Sequence, residues 1–174
     1  MTANVVIKRL LKLGVFLMVF VSVSSFSDVP HNLQKVGQGT MSWFFMDIYQ
    51  ATLFSEDGKY QPLQYPQALT IKYQRDISQD ALLKATQKQW QYLSIDVELY
   101  QDWLQQLGQL WPDIKEGDQL TFWIAQNGEG DFYHNDKWLG HIEERELSDA
   151  FLSIWLSPKT SEPKLRRKLI GDDK

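Results

Sequence analysis

The hydrophobic period of this chain changes twice along its length, and the order of those changes restricts the fold more than any single motif. ALTIKYQRD, Ala68 to Asp76, sets Leu69, Ile71 and Tyr73 against Thr70, Lys72 and Gln74, the two-residue repeat of a half-buried strand. From Ser78 to Pro112 the repeat becomes helical. Ser78 is placed to cap a helix carrying Leu82, Leu83, Thr86, Trp90 and Leu93 on one stripe, with Asp80 in its first turn. After a break near Leu93-Ser94, Val97, Tyr100, Trp103, Leu104, Leu107 and Trp111 form a second stripe that Pro112 ends. PDIKEGD is then a turn, and the short alternating runs QLTFWIAQ, DFYHN and KWLGHIE follow, separated by NGEGD and Asn135-Asp136. They predict a meander of three antiparallel strands. Strands, a helical middle, a meander and terminal helices make an α+β domain, an antiparallel sheet with helices layered on one face.

The two ends fit that frame. DVPHNLQKVGQGT, Asp28 to Thr40, is a polar lead-in, and MSWFFMDIYQATLF, Met41 to Phe54, contains no breaker. The latter predicts one long strand or two joined at a bulge, with Met46 and Ile48 sharing the buried face. Asp57-Gly58 marks the turn before the alternating strand. At the other end, Leu147, Ala150, Phe151, Ile154 and Trp155 share a helix face that belongs on the sheet, and Pro158 stops it. Ser161 is the expected cap of a last short helix, with Pro163 in its first turn, basic residues in its C-terminal half and Gly171 at the left-handed C-terminal position. Lys164, Arg166, Arg167 and Lys168 read as the solvated face of that docked helix, with an anionic membrane or a partner as the alternative.

MTANVVIKRLLK carries Lys8, Arg9 and Lys12 and no acid, and the apolar run from Leu13 to Val23 precedes the small residues SVSSFS. This is the pattern of a secretory signal peptide cut after Ser27. The run is short against the roughly 20 residues of a membrane span. Residues 28–174 are then the expected single domain, periplasmic or secreted, with no integral membrane segment once the signal is removed. Losing Lys8, Arg9 and Lys12 takes the net charge from −4 to −7. An acidic chain whose cations cluster only near its end is a poor nucleic-acid binder. There is no cysteine, so neither disulfides nor thiol chemistry is available to it.

No GxSxG, HExxH, Walker loop or GxGxxG occurs. Gly37-Gln38-Gly39 opens no helix and is better accounted for by a tight turn. His31, His134 and His141 are scattered; the latter two fall on adjacent strands, but no acidic ligand near them completes a zinc site. Asn127 to Asp131 lacks the calcium-loop pattern and reads as hairpin-turn chemistry. Glu143, Glu144 and Glu146 at a helix start suit the helix dipole better than an acid–base pair. Neither a metal nor a cofactor is expected.

Seven Trp, seven Tyr and nine Phe are the distinctive feature of the composition. A generously packed core is one account. The sharper expectation is a cavity between sheet and helices, walled by Trp43, Phe45, Tyr73 and Trp90 and suited to an apolar or aromatic small molecule. Arg75, two residues after Tyr73, would be the cation at its mouth, able to hold a carboxylate; pairing with Asp76 or Asp80 is the alternative.

Several segments in order resemble the bacterial chalcone isomerase-like proteins. They are Gly37-x-Gly39, DIYQATLF from Asp47, LTIKYQRDIS from Leu69, Glu116-Gly117-Asp118, and AFLSIWLSPKTSEPKLRRKLIG from Ala150 to Gly171. The resemblance implies a large antiparallel sheet, helices over one face and a ligand cleft between them. In that family some members cyclise chalcones and others bind fatty acids without catalysis. An isomerase arginine should follow the glycine turn, but Thr40, Met41 and Ser42 stand there. The family's threonine falls at Tyr49, which retains a hydroxyl for binding. Cyclisation needs a cation or an equivalent donor set for its developing charge. The expectation is therefore a non-catalytic protein binding a small apolar ligand such as a fatty acid through Tyr49, Tyr73, Arg75 and Trp90. An intramolecular lyase of the isomerase type and an envelope protein-interaction module are the alternatives.

Overall fold

The computed structural model describes residues 32–172; the expected signal peptide and His31 lie outside them. Six strands, β1 (Gln34–Trp43), β2 (Met46–Ser55), β3 (Gln67–Tyr73), β4 (Gln119–Ile124), β5 (Gly130–His134) and β6 (Lys137–Ile142), form one sheet in chain order. Every neighbouring pair is antiparallel. Helices α1 (Gln79–Tyr92) and α2 (Val97–Leu110) enter between β3 and β4, and α3 (Arg145–Leu156) and α4 (Pro163–Leu169) follow β6. This is the α+β open-faced sandwich that the order of periods predicts. Among the described residues no helix is long and apolar enough to cross a membrane.

The register explains which face is covered. Gly39 pairs with Ala51, Ala51 with Ile71, and Ile71 with Leu120. Leu53 pairs with Leu69, Leu69 with Phe122, and Phe122 with Phe132. All of these residues are buried, so this is the face beneath the helices. The alternate positions carry Thr52, Thr70, Thr121 and Tyr133 on the open face, where the Thr70 and Thr121 hydroxyls bond each other at 3.0 Å.

The helical middle forms as its stripes predict. Ser78 Oγ accepts from the Ala81 N–H, Ser94 breaks the chain at φ 59°, and Asp96 caps α2 by accepting from the Glu98 N–H. The indole of Trp90 donates to the Ala150 carbonyl at 2.9 Å and ties α1 to α3.

Several expectations need correction. Met41 to Phe54 is neither one strand nor two joined at a bulge, since the chain reverses at Phe44-Phe45 between β1 and β2. Strand pairing begins at Gln34, inside what reads as the lead-in, and Met46 lies exposed instead of sharing a buried face with Ile48. The turn has no Gly, Asn, Asp or Pro; Phe44 itself adopts φ 56°, and the Ser42 hydroxyl bonds Asp47 at 2.5 Å across the neck. Trp43 is 61% and Phe44 79% exposed, with Phe45 and Met46 beside them, so four large apolar residues stand at the tip. Gly37 and Gly39 make no turn but lie within β1, where α4 crosses closely. A Cβ on Gly37 would come within 2.5 Å of the Leu169 carbonyl oxygen, and one on Gly39 within 2.6 Å of Leu165 Cδ1. Ser161 does not cap α4; its hydroxyl donates to Gln89 Oε1 at 2.8 Å, and Thr160 Oγ1 accepts from the Glu162 N–H instead.

Arg166, Arg167 and Lys168 stand in the last turn of α4, and Gly171 has φ 77°, as the terminal pattern predicts. The last helix is thus the closing layer over β1. Replacing Gly37 with Ala should lift α4 and cost about 3 kcal/mol in urea unfolding, as overpacking does. An unchanged midpoint would mean that the contact has slack.

Candidate functional site

Between the sheet and the helices lies a cavity of about 250 Å³. Its sheet side is Met41, Ile48, Tyr49, Ile71, Tyr73 and Leu120. Its helix side is the α1 face from Ala81 to Gln89, Trp111, the α3 residues Phe151, Ile154 and Trp155, and the connection residues Ser161 and Glu162. Burial distinguishes floor from mouth. Ile71, Tyr73, Leu82, Thr86, Trp111, Leu120 and Phe151 are buried, whereas Ala81 and Ala85 are exposed and Met41, Ile48, Gln89, Ser161 and Glu162 are half-buried. The mouth therefore runs along α1, between the end of the first hairpin and the α3–α4 connection. Ala81 and Ala85 lie one turn apart, and their small side chains leave it open.

Each wall is fixed by contacts whose cause is local. Phe122 stacks on Phe132 with centroids 4.2 Å apart, and Phe151 meets both edge-on at 5.2 Å. Trp111 packs on Phe132 and Phe151 at 5.5 and 5.8 Å. This cluster fixes the inner end of the cavity. At its centre, Trp155 Nε1 donates to the Tyr49 hydroxyl at 2.9 Å, joining α3 to β2. Tyr49 and Tyr73 are register partners, and their rings meet at 6.1 Å and 64°. At the mouth, the Ser161–Gln89 hydrogen bond joins the α3–α4 connection to α1.

The electrostatics are one-sided. Burial pushes the Tyr49 phenol up to about 12, against a smaller lowering by the Trp155 hydrogen bond, while the Glu162 carboxylate raises it further. Burial also raises Tyr73, and the neighbouring Tyr49 adds to it. Both phenols therefore keep their protons at neutral pH. Because Tyr49 accepts from Trp155, its own O–H stays available as a donor. The indole N–H of Trp111 is buried in the wall without a hydrogen-bond partner among the described residues. Among the described residues the lining holds no lysine, arginine or histidine, and Glu162 at the mouth is its one carboxylate.

Of the residues singled out from the sequence, Tyr49 and Tyr73 lie together in the cavity wall. Trp43 and Phe45 do not wall it: they sit on the solvent-exposed hairpin tip, two and four residues beyond Met41. Trp90 is 0% exposed but packs against Tyr100 and Trp103 within the helix layer, outside the lining. Arg75 is exposed and also outside it, while Asp76 pairs with Lys115 at 2.9 Å and Asp80 with Lys84 at 2.7 Å. The contributions of Ser161, Glu162, Gln89 and the two alanines were not read from the sequence; only the small pair Ala81/Ala85 beside the apolar stripe hints at a gap.

The other polar clusters lie elsewhere. His134 pairs with Asp118 at 2.9 Å, and His141 with Asp131 at 3.1 Å, so the two histidines do not meet. Among the described residues no group of three or more potential ligands could hold a metal. Glu143, Glu144 and Glu146 are exposed around the start of α3, and Glu144 accepts from Gln106. Gly128 takes φ 92° in the β4–β5 hairpin turn, where Asn127 Oδ1 accepts from the Glu129 N–H.

The family model described as chalcone isomerase-like matches residues 24–171. An uncharacterized protein of Haemophilus influenzae is 31% identical over 153 residues, covering 87% of this chain and 75% of that protein. Among solved structures, an Arabidopsis thaliana fatty-acid binding protein superposes with a TM-score of 0.62 at 12% identity, covering 82% of this chain and 88% of its own. At that identity the likeness is one of fold.

The buried tyrosines give a pH signature. Free tyrosine ionises near 10, whereas the folded state holds the Tyr49 proton up to about 12. Stability should be flat below pH 10 and fall as pH rises through 12, because the unfolded chain loses its protons first. Urea midpoints across that range, with tyrosinate absorbance, would show it; a Tyr49→Phe variant should lose part of the slope.

Proposed function

Since the chain belongs to the chalcone isomerase-like family, we propose that it is an exported protein that binds a small, largely apolar molecule between sheet and helices without transforming it. The observation that carries this reading is the cavity of about 250 Å³, whose floor is aromatic and aliphatic and whose mouth opens along α1. At ~30 Å³ per water-sized unit that volume suits roughly eight non-hydrogen atoms, slightly below ordinary ligand pockets. The fold likeness to a fatty-acid binding protein supports a hydrocarbon ligand. Binding rather than isomerisation is supported by the lining. An oxyanion forming in the cavity would meet neutral phenol donors but no cation among the described lining residues. Arg75, exposed and outside the lining, gives no support to a carboxylate clamp.

A bromoalkane of roughly seven carbons should quench fluorescence from Trp111 and Trp155 saturably. Ala85→Phe, made at an exposed position, should weaken that binding at least about tenfold, equivalent to about 1.4 kcal/mol, with little change in thermal stability. Saturable quenching that survives both Ala85→Phe and Ala81→Phe would place the ligand elsewhere.

Export is supported by the order of Lys8, Arg9 and Lys12, the apolar run from Leu13 and the small residues before Asp28. The mass of the protein recovered from a periplasmic extract should correspond to a chain starting near Asp28. A full-length mass would contradict cleavage.

One observation favours an additional interaction role. Trp43, Phe44, Phe45 and Met46 are contiguous and exposed at the hairpin tip, which is where soluble proteins ordinarily avoid apolar patches. A photocrosslinker at position 45 should capture an envelope component in cells, and the Phe44→Ser, Phe45→Ser double variant should remove the adduct of a probe placed at position 43.

A further inference from the structure

Resting on the interaction role just read at the hairpin tip, and independent of what fills the cavity, the geometry points to the partner. We infer that Trp43, Phe44, Phe45 and Met46 form a wedge that inserts into the interfacial layer of a lipid bilayer and holds the protein there reversibly.

The hairpin is layered like a segment that crosses a membrane surface. Trp43 pairs with Met46, Ser42 with Asp47, and Met41 with Tyr49. An apolar rung thus caps a polar one, closed by the Ser42–Asp47 hydrogen bond, before the strands reach the cavity wall at Met41, Ile48 and Tyr49. From Ser42 to Phe44 the chain advances two residues, roughly 7 Å at strand pitch. Interfacial segments bury their apolar side to a similar depth, about 5–10 Å into the boundary of head groups and acyl chains. Trp at the base of the tip is a side chain that favours this layer.

Among the described residues nothing covers the tip: Phe45 is fully exposed, and the Trp43 ring meets that of Phe44 at 5.1 Å. Phe44 holds φ 56°, a left-handed backbone that a bulky side chain adopts at a cost and that Gly or Asn takes more readily. A turn that gives up both turn chemistry and solubility needs a partner for its rings. Four residues on one turn fall far short of a stable protein interface, which takes roughly 20–30 residues a side. The same shortfall applies to a second copy docked tip to tip. A bilayer asks for no matching surface, because each apolar side chain that enters it gains by its own burial. Charge is not what holds the tip. The chain is acidic, with net charge −4, and the polar rung adds the Asp47 carboxylate. The cations Arg166, Arg167 and Lys168 belong to α4, which crosses β1 at Gly37 and Gly39, farther down the strand.

The test is co-sedimentation of the purified protein with phosphatidylcholine vesicles, in low salt and in about 1 M salt, where charges are screened beyond ~3 Å. The protein should partition onto these neutral vesicles equally at both salts. Phosphatidylcholine brominated on its acyl chains should quench Trp43, and Trp43→Tyr should lose that quenching. The Phe44→Ser, Phe45→Ser double variant should lower partitioning at least about tenfold. Phe44→Asn should weaken it too while holding or raising the thermal midpoint, because Asn takes the left-handed backbone more readily. A purely structural turn would not separate those two readouts. Binding that requires anionic lipid and disappears in high salt would assign the contact to the α4 cations and overturn the wedge. Binding that the double variant leaves intact would place the contact on another segment and overturn it as well. If vesicles do not bind but a crosslinker at position 45 captures a protein in cells, the bilayer is overturned and the interaction role stands. If neither occurs, that role falls with it.

Discussion

The spacing between the helix layer and the sheet is the constraint on which the site depends. At the β4–β5 end, Phe122, Phe132, Phe151 and Trp111 interlock at centroid separations of 4.2 to 5.8 Å and hold α3 at the width of an aromatic ring. At the β1 end, Gly37 and Gly39 remove side chains from the sheet, and α4 comes down onto bare backbone. Large residues on one side and none on the other keep the layer near the sheet at both ends. The gap left between is lined by Tyr49 and Tyr73 and secured by the Trp155–Tyr49 hydrogen bond. Dense packing elsewhere makes such a void costly unless something fills it.

What the site can do follows from what its walls hold. Burial keeps both phenols protonated, and among the described residues positive charge is absent from the lining. A reaction that develops negative charge has no counterion there, and neither has a bound anion. The same inventory that weakens the case for cyclisation therefore also narrows the ligand. The two conclusions stand on one physical fact, the cost of an unpaired charge in a dry pocket.

Much of this was legible in the chain, for identifiable reasons. The helices were readable because their stripes, the Ser78 cap and the Ser94 break are local signals, and the meander because its turns carry Asn, Gly and Asp. Tyr49 and Tyr73 were legible as cavity residues through alternation on β3 and through the family pattern. The first hairpin was not. Its turn is made of Phe44 and Phe45, with a left-handed phenylalanine in place of any turn residue, so an exposed tip had the composition of a buried strand. Trp90 and Trp111 lie on equivalent helical stripes; periodicity says that both are buried but not against what, and the layer assigns Trp90 to α3 and Trp111 to the cavity. Arg75 lies outside the lining because proximity to Tyr73 in sequence says nothing about the cavity once the strand has ended. Glu162, Gln89 and Ser161 meet only when α4 folds back over β1, a tertiary event with no local signature.

Native mass spectrometry of the protein purified from its own cells, before and after organic extraction, tests the central claim most directly. The account predicts a stoichiometric adduct of a small, largely apolar molecule that leaves on extraction, after which the empty protein binds a bromoalkane saturably. A protein that emerges with a bare mass and shows no saturable change in tryptophan fluorescence with ester, alkane or acid would contradict it, and would leave the exposed hairpin tip as the functional surface.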